Sequence, residues 1–246
     1  MNLALDVSIY LFVIVFIGYT IQTISGFGAI IFALPLSLFV VDRLEILPVF
    51  LIMSVFQSLA VAYKEREHLI KKEFAIMFVL AMIGMPVGIL MGDLIPSEIM
   101  NVLLGAFIII NSIYSIRMLK LGSDQHPSEM MKFHHRTYPF LSGFMQAAYG
   151  VGGPLIGTYM DKVTHDKKTY RGMISLYWCL LNPFIIFGYL TRGEINSSHF
   201  QMFLLLIPAV ALGLFVGNRT INRISKTKFQ LLVHSMLIAI GVTLFF

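Results

Sequence analysis

Charge is scarce in this sequence. Of 246 residues only 13% are Asp, Glu, Lys or Arg, and 57% are hydrophobic, with a mean hydropathy of +0.82. An ordinary soluble domain carries about 25% charged residues, so water is excluded as the main solvent. Cysteine is nearly absent as well. Cys179 stands alone in an apolar stretch, so no intramolecular disulfide is possible and the thiol reads as a small packed hydrophobe. No Gly-x-x-x-x-Gly-Lys-Ser/Thr phosphate loop occurs, which argues against ATP hydrolysis by this chain. An intramembrane enzyme needs a nucleophile, base or metal cluster inside a span, and none recurs at useful spacing. The pair His134-His135 sits in a polar loop without the further ligands a metal site requires. No cofactor and no enzymatic activity are expected.

What the sequence has is apolar length. Stretches of the roughly 20 residues a helix needs to cross a bilayer recur from Leu3 to Phe246, with no soluble domain between them. A single membrane domain, 1–246, is the simplest count. The opening Met-Asn-Leu-Ala-Leu-Asp carries an acid where a secretory signal has positive charge, so this segment is expected to be retained.

The few charges are placed with a pattern. Sixteen of the eighteen Lys and Arg residues fall in four groups: Lys64 to Lys72, Arg117 to Arg136, Lys162 to Arg171, and Arg219 to Lys228. A nucleic-acid surface would gather such a net charge of +5 on one face. Here the cations sit in short loops instead, which the positive-inside rule assigns to the cytoplasm. Single crossings then follow at 46–62, 74–92, 99–117, 172–190, 200–218 and 229–246. The apolar regions 7–41 and 137–160 must each start and end on one side, as hairpins. One hairpin plus three crossings makes a half, and three being odd, the second half is inverted relative to the first. The expected fold is therefore an all-α integral membrane protein of two inverted-topology repeats, 1–118 and 137–246, joined by a cytoplasmic loop 119–136. Both termini are expected outside.

Internal similarity points the same way. Gln22-Thr-Ile-Ser-Gly-Phe-Gly28 matches Gln146-Ala-Ala-Tyr-Gly-Val-Gly152 at an offset of 124, and Asp42 matches Asp166. Gly88 and Gly92 match Gly213 and Gly217 at an offset of 125. Inverted repeats with helices interrupted at matching places are a transporter signature.

Glycine within a helix is unfavourable by about 1 kcal/mol relative to alanine, and both motifs cluster glycines centrally in their hairpins. Gly26-Phe27-Gly28 and Gly150-Val-Gly152-Gly153-Pro154 read as breaks, Pro154 starting a new helix and Pro35 kinking its own. Non-helical backbone at membrane depth survives only where protein buries it or a watery cavity meets it. A helix restarting there turns free N–H groups and its positive dipole end toward the break, which favours an anion. None of the 18 basic and 13 acidic residues sits mid-span, so the expected midplane site between the two tips uses no buried lysine or arginine. The neutral groups Gln22, Ser25, Gln146 and Tyr149 flank the breaks as hydrogen-bond donors to an oxyanion. Gly84, Gly88 and Gly92, four apart, read as close-packing positions. Gln57, Asn111, Asn182 and His234 also lie in spans, and His234 reads as a packed helix residue.

The stretch Gly18-Tyr-Thr-Ile-Gln-Thr-Ile-Ser-Gly-Phe-Gly-Ala-Ile-Ile-Phe-Ala-Leu-Pro-Leu36, with Gly143-Phe-Met-Gln-Ala-Ala-Tyr-Gly-Val-Gly-Gly-Pro154, resembles the TauE/SafE family of sulfite and organosulfur anion exporters. The resemblance covers essentially the whole chain. Ala29 and Pro154 depart from the family's longer glycine runs, both at the expected substrate contacts. The resemblance implies export of a small sulfur-containing anion by a secondary transporter of the cell membrane. From the residues alone the reading is a small anion. A passive anion channel and a non-transporting scaffold or receptor remain as alternatives, and oligomeric state is not legible.

Overall fold

In the computed structural model, residues 5–91, 94, 96–120, 135–149 and 152–245 are described, with backbone only at 97, 98, 100, 101, 118 and 149. Most of the expected central loop, including Lys132 and His134, lies outside the described residues, as do Gly92 and Gly150 and the side chain of Tyr149. Ten α-helices are delimited among the described residues: α1 Leu5–Ser25, α2 Ala29–Ser37, α3 Arg43–Lys64, α4 Lys71–Met91, α5 Ser97–Lys120, α6 Thr137–Tyr149, α7 Gly153–Val163, α8 Lys167–Thr191, α9 Ser197–Arg223 and α10 Lys226–Thr243. A 3-10 turn, Arg66–His68, follows α3, and no strand occurs among the described residues.

Among the described residues, five helices are long and apolar enough to cross a bilayer: α1, α3, α4, α8 and α9. Four of them carry the expected crossings 46–62, 74–92, 172–190 and 200–218. The expected crossing 99–117 falls in α5, whose apolar part Val102–Arg117 is shorter. The crossing expected at 229–246 falls in α10, an 18-residue helix outside those five. Large apolar side chains such as Leu5, Phe187 and Leu90 stand exposed on the helix surfaces, as lipid-facing positions do. The chain is an all-α membrane protein.

Each region expected to be a hairpin holds two helices packed on one another. In the first, α1 runs 21 residues and α2 only nine, about 30 Å and about 14 Å at 1.5 Å per residue. One arm is long enough to cross and the other is not. In the second, α6 has 13 residues and α7 has 11, so each arm is at most about 20 Å long. Pro35 lies within α2, and Pro154 sits in the first turn of α7, where a missing N–H leaves no helical bond unmade.

The chain divides into two compact units. One comprises Met1–Leu69 and Arg171–Arg223, the other Ile70–Tyr170 and Ile224–Phe246. Neither coincides with a sequence half. In the first unit the hairpin α1–α2 packs on α3 and most extensively on α9. Its apolar core joins Leu11, Val15 and Tyr19 of α1 to Phe50 and Met53 of α3 and to Leu206 and Val210 of α9. In the second unit the hairpin α6–α7 packs most extensively on α4, and α5 packs on α10.

Small residues permit both closest approaches. A Cβ placed on Gly88 would lie 2.3 Å from the carbonyl oxygen of Phe144 in α6, and one on Gly84 2.1 Å from that of Phe140. In the other unit a Cβ on Gly213 of α9 would meet the backbone nitrogen of Thr20 in α1 at 3.0 Å. Backbones at this distance leave room for hydrogen only, which is how transmembrane helices gain dispersion contact without a hydrophobic driving force.

Candidate functional site

The first hairpin breaks because its backbone turns left-handed. Gly26 has φ 86° and Gly28 φ 108°, a region that costs any residue with a Cβ. Gly28 is the N-cap of α2 and has no side chain to satisfy the new helix. Gln22 does so from the preceding helix: its Oε1 accepts the Ala29 N–H at 3.2 Å. Its Nε2 donates to Ser54 Oγ in α3 at 3.0 Å. Ser25 Oγ lies 2.7 Å from the carbonyl oxygen of Phe27 and 2.9 Å from that of Ile21, and its one hydrogen serves one of them. Gln22, Ser25 and Phe27 are all buried. The next N–H groups of α2, on Ile30 and Ile31, have no intrahelical acceptor, as at any helix start.

The second break uses a glutamine in the same way but needs its glycine for another reason. Gln146 Oε1 accepts the Gly152 N–H at 3.0 Å, and Ser142 Oγ donates to the Gly152 carbonyl at 2.8 Å. Gly152 itself has an ordinary φ of −82°. A Cβ there would sit 2.5 Å from the carbonyl oxygen of Ser142, so space is what excludes a side chain. Gly153 and Pro154 open α7, both buried. The expected site residues thus fall into two sets. Gln22, Ser25, Gly26, Phe27 and Gly28 converge in the first unit, and Gln146, Gly152, Gly153 and Pro154 in the second. Gly150 and the side chain of Tyr149 lie outside the described residues. At both glutamines the amide oxygen faces the break, and at Gln22 the donor is already taken by Ser54.

A polar layer behind the first break is absent from the sequence expectation. Asn182 Nδ2 of α8 reaches the same Ser54 Oγ at 3.2 Å, so Gln22, Ser54 and Asn182 form a chain across α1, α3 and α8. Gln57 Nε2 donates to the Tyr19 carbonyl at 2.9 Å and to Thr23 Oγ1. All of these side chains are buried. Four polar atoms of the layer are buried with no hydrogen-bond partner: Gln57 Oε1, Ser58 Oγ, Asn182 Oδ1 and Arg171 Nε. Each such atom costs about 1–3 kcal/mol, and neutral polar side chains inside membrane helices tie one helix to the next by hydrogen bonds.

Arg171, which the sequence groups with the cytoplasmic cations, is 0% exposed and among the largest fully buried side chains of the described residues. Its Nη1 donates to the carbonyl of Thr23 at 3.1 Å, at the end of α1, and its Nη2 is paired with Glu65, the C-cap of α3, 3% exposed. A Cβ on Gly26 would lie 3.3 Å from the Cα and carbonyl oxygen of Arg171 and 3.0 Å from Ile174 Cβ. The break therefore rests against the first third of α8. The only sequence signal was position: Arg171 stands inside the apolar run that begins at Tyr170, one residue before Gly172, whose missing side chain gives Glu65 its place.

In the second unit, Tyr159 of α7 donates to Glu73 Oε2 at 3.0 Å, and His234 Nε2 of α10 lies 3.3 Å from Asp161 Oδ2. His234 is buried in its helix, as expected. Among the described residues no three His, Cys, Asp or Glu side chains converge as a metal site would.

A buried arginine, a helix N-terminus and a row of neutral amides and hydroxyls are groups that hold an anion without a metal. No curated protein and no solved structure gives a significant match. The family model described as Sulfite exporter TauE/SafE matches residues 10–244. That span takes in both broken hairpins and every described helix bar the first five residues of α1, and the chain belongs to the TauE/SafE sulfite exporter family.

Proposed function

We propose that this protein is a secondary transporter that exports a small sulfur-containing anion, sulfite or a sulfonate, across the cell membrane. The observation that carries the reading is the family match over nearly the whole chain. The proposed recognition elements are the two broken hairpins, Gln22 to Gly28 and Gln146 to Pro154, where restarting helices offer backbone N–H groups to an oxyanion. Alternating exposure of that anion to the two sides supplies transport.

The proposed architecture is two inverted repeats, 1–118 and 137–246, with both termini outside. Its support is a set of matching contacts. Gly88 meets Phe144, and Gly213 meets Thr20; each residue of the first pair corresponds to one of the second at the offsets of the repeat. Gln22 and Gln146 each accept a backbone N–H at their break, on Ala29 and on Gly152. In this reading each half lends its fourth helix to the hairpin of the other.

Uptake of labelled sulfite into proteoliposomes tests the function. Saturable uptake accelerated by sulfite on the opposite side is the expected result. Non-saturating flux without such acceleration would instead make the protein a channel. Silence toward sulfite and a panel of sulfonates would leave a scaffold or receptor.

A further inference from the structure

We propose that Arg171 is the counter-charge for the transported anion at the first hairpin break, and that Glu65 occupies it while the anion is absent. The inference rests on the transport reading above and adds the charged residue that the reading lacked. A guanidinium has five N–H donors in a rigid fork. Here Nη1 is held by the Thr23 carbonyl, Nη2 by Glu65, and Nε is buried with no acceptor. A pair serving stability alone would be expected to fill the fork, because each buried donor left over is unfavourable. An oxyanion with two free oxygens takes two parallel N–H groups at once. It can engage Nε together with Nη2, and so displaces a carboxylate that holds only one.

The surroundings suit an exchange of partners. The Thr23 carbonyl fixes the arginine to the end of α1, within one turn of Gly26, whose backbone packs on that of Arg171. The bound anion would therefore lie where the left-handed break and the start of α2 meet. Glu65 has somewhere to go, since its other oxygen lies 3.7 Å from Nδ1 of the half-exposed His68. Arg171 and Glu65 are each nearly free of solvent, so neither charge is screened and only one anion at a time is favoured beside the arginine.

The test is labelled-sulfite uptake into proteoliposomes, with the sulfite-induced rise in melting temperature of the detergent-purified protein as a second readout. Glu65→Gln keeps the hydrogen-bonding shape and removes the competing charge. Its half-saturation concentration is expected to fall about threefold or more, the size of a modest ion-pair term, and sulfite should raise its melting temperature more than that of the wild type. Arg171→Lys, which has no fork, should raise half-saturation. The charge-reversed double variant Glu65→Arg with Arg171→Glu should keep the fold while losing saturable uptake. An unchanged or raised half-saturation in Glu65→Gln, or wild-type uptake by the reversed pair, would make the pair purely structural. Should Glu65→Gln not fold, Glu65→Asp, one methylene shorter, must lower half-saturation or the proposal fails. If the wild type itself moves neither sulfite nor any sulfonate, the exporter reading falls first, a result distinct from transport that ignores Glu65.

Discussion

The amide oxygen of Gln22 lies 3.2 Å from the backbone nitrogen of Ala29, so a side chain of one helix caps the start of the next across the break between them. Its NH2 reaches Ser54 at 3.0 Å, and one residue thereby joins the hairpin to α3. Replacing it with leucine leaves the Ala29 N–H buried without an acceptor and leaves Ser54 Oγ with Asn182 alone. The expected loss is about 1–3 kcal/mol for each group left unpaired, read as a lower melting temperature. Gln22→Glu can still accept from Ala29 but brings a negative charge to the break. It should hold the fold better than Gln22→Leu and bind sulfite worse than wild type, seen as a higher half-saturation.

Ser54 stands between Gln22 and Asn182, 3.0 Å and 3.2 Å away. Substitutions of the two outer residues should then fail to add. The melting free energies of Gln22→Ala, Asn182→Ala and the double variant form a cycle, and a coupling of about 0.5 kcal/mol or more is expected for residues in one network. A cycle that closes at zero would mean the three side chains are independent.

Gly28 and Gly152 close the same Gln-x-x-x-Gly-x-Gly motif yet exclude side chains for different reasons. At Gly28 the constraint is φ 108°, and asparagine enters the left-handed region more readily than alanine. At Gly152 the constraint is the Ser142 carbonyl, 2.5 Å from where Cβ would stand, so a larger residue is worse. Gly28→Asn should therefore outperform Gly28→Ala in folded yield, while Gly152→Asn should fall below Gly152→Ala. The strain at Gly28→Ala is about 1–3 kcal/mol.

The glycine contacts rank in the same way. Cβ atoms added at Gly84 and Gly88 would stand 2.1 Å and 2.3 Å from backbone oxygens, against 3.0 Å to the nearest atom at Gly213. Gly84→Ala and Gly88→Ala should lose about 1–3 kcal/mol as overpacked sites do, and Gly213→Ala clearly less. Thermal melts of the three purified variants give the order directly.

The positions of the breaks were legible in the sequence because two glycines close together inside an apolar run contradict a continuous helix. The separation into Gly28, set by φ, and Gly152, set by space, was not, since both are written as the same letter. Gln22 and Gln146 were picked out by the repeat, but an amide carries both donor and acceptor, and which of them faces the break depends on the neighbours. Ser54 and Asn182 are ordinary letters in ordinary spans, and only their meeting across three helices gives them meaning. Arg171 was hidden by its company: Lys162, Lys167 and Lys168 precede it, and a cation beside a loop reads as a topological marker. The crossing at 99–117 was legible as an apolar run, and α5 is the helix that carries it. The packing of hairpins against helices distant in sequence left no local trace.

That last packing bears on how the molecule is made. Ribosomes deliver Thr20 early and Gly213 late, yet these two backbones must meet. The first hairpin therefore enters the bilayer with the face it will bury against α9 still bare, and it waits there while α4 to α8 are synthesised. The second hairpin, by contrast, finds α4 already in place. The late arrival of α9 is then the step at which the nascent protein closes the apolar core of its first unit.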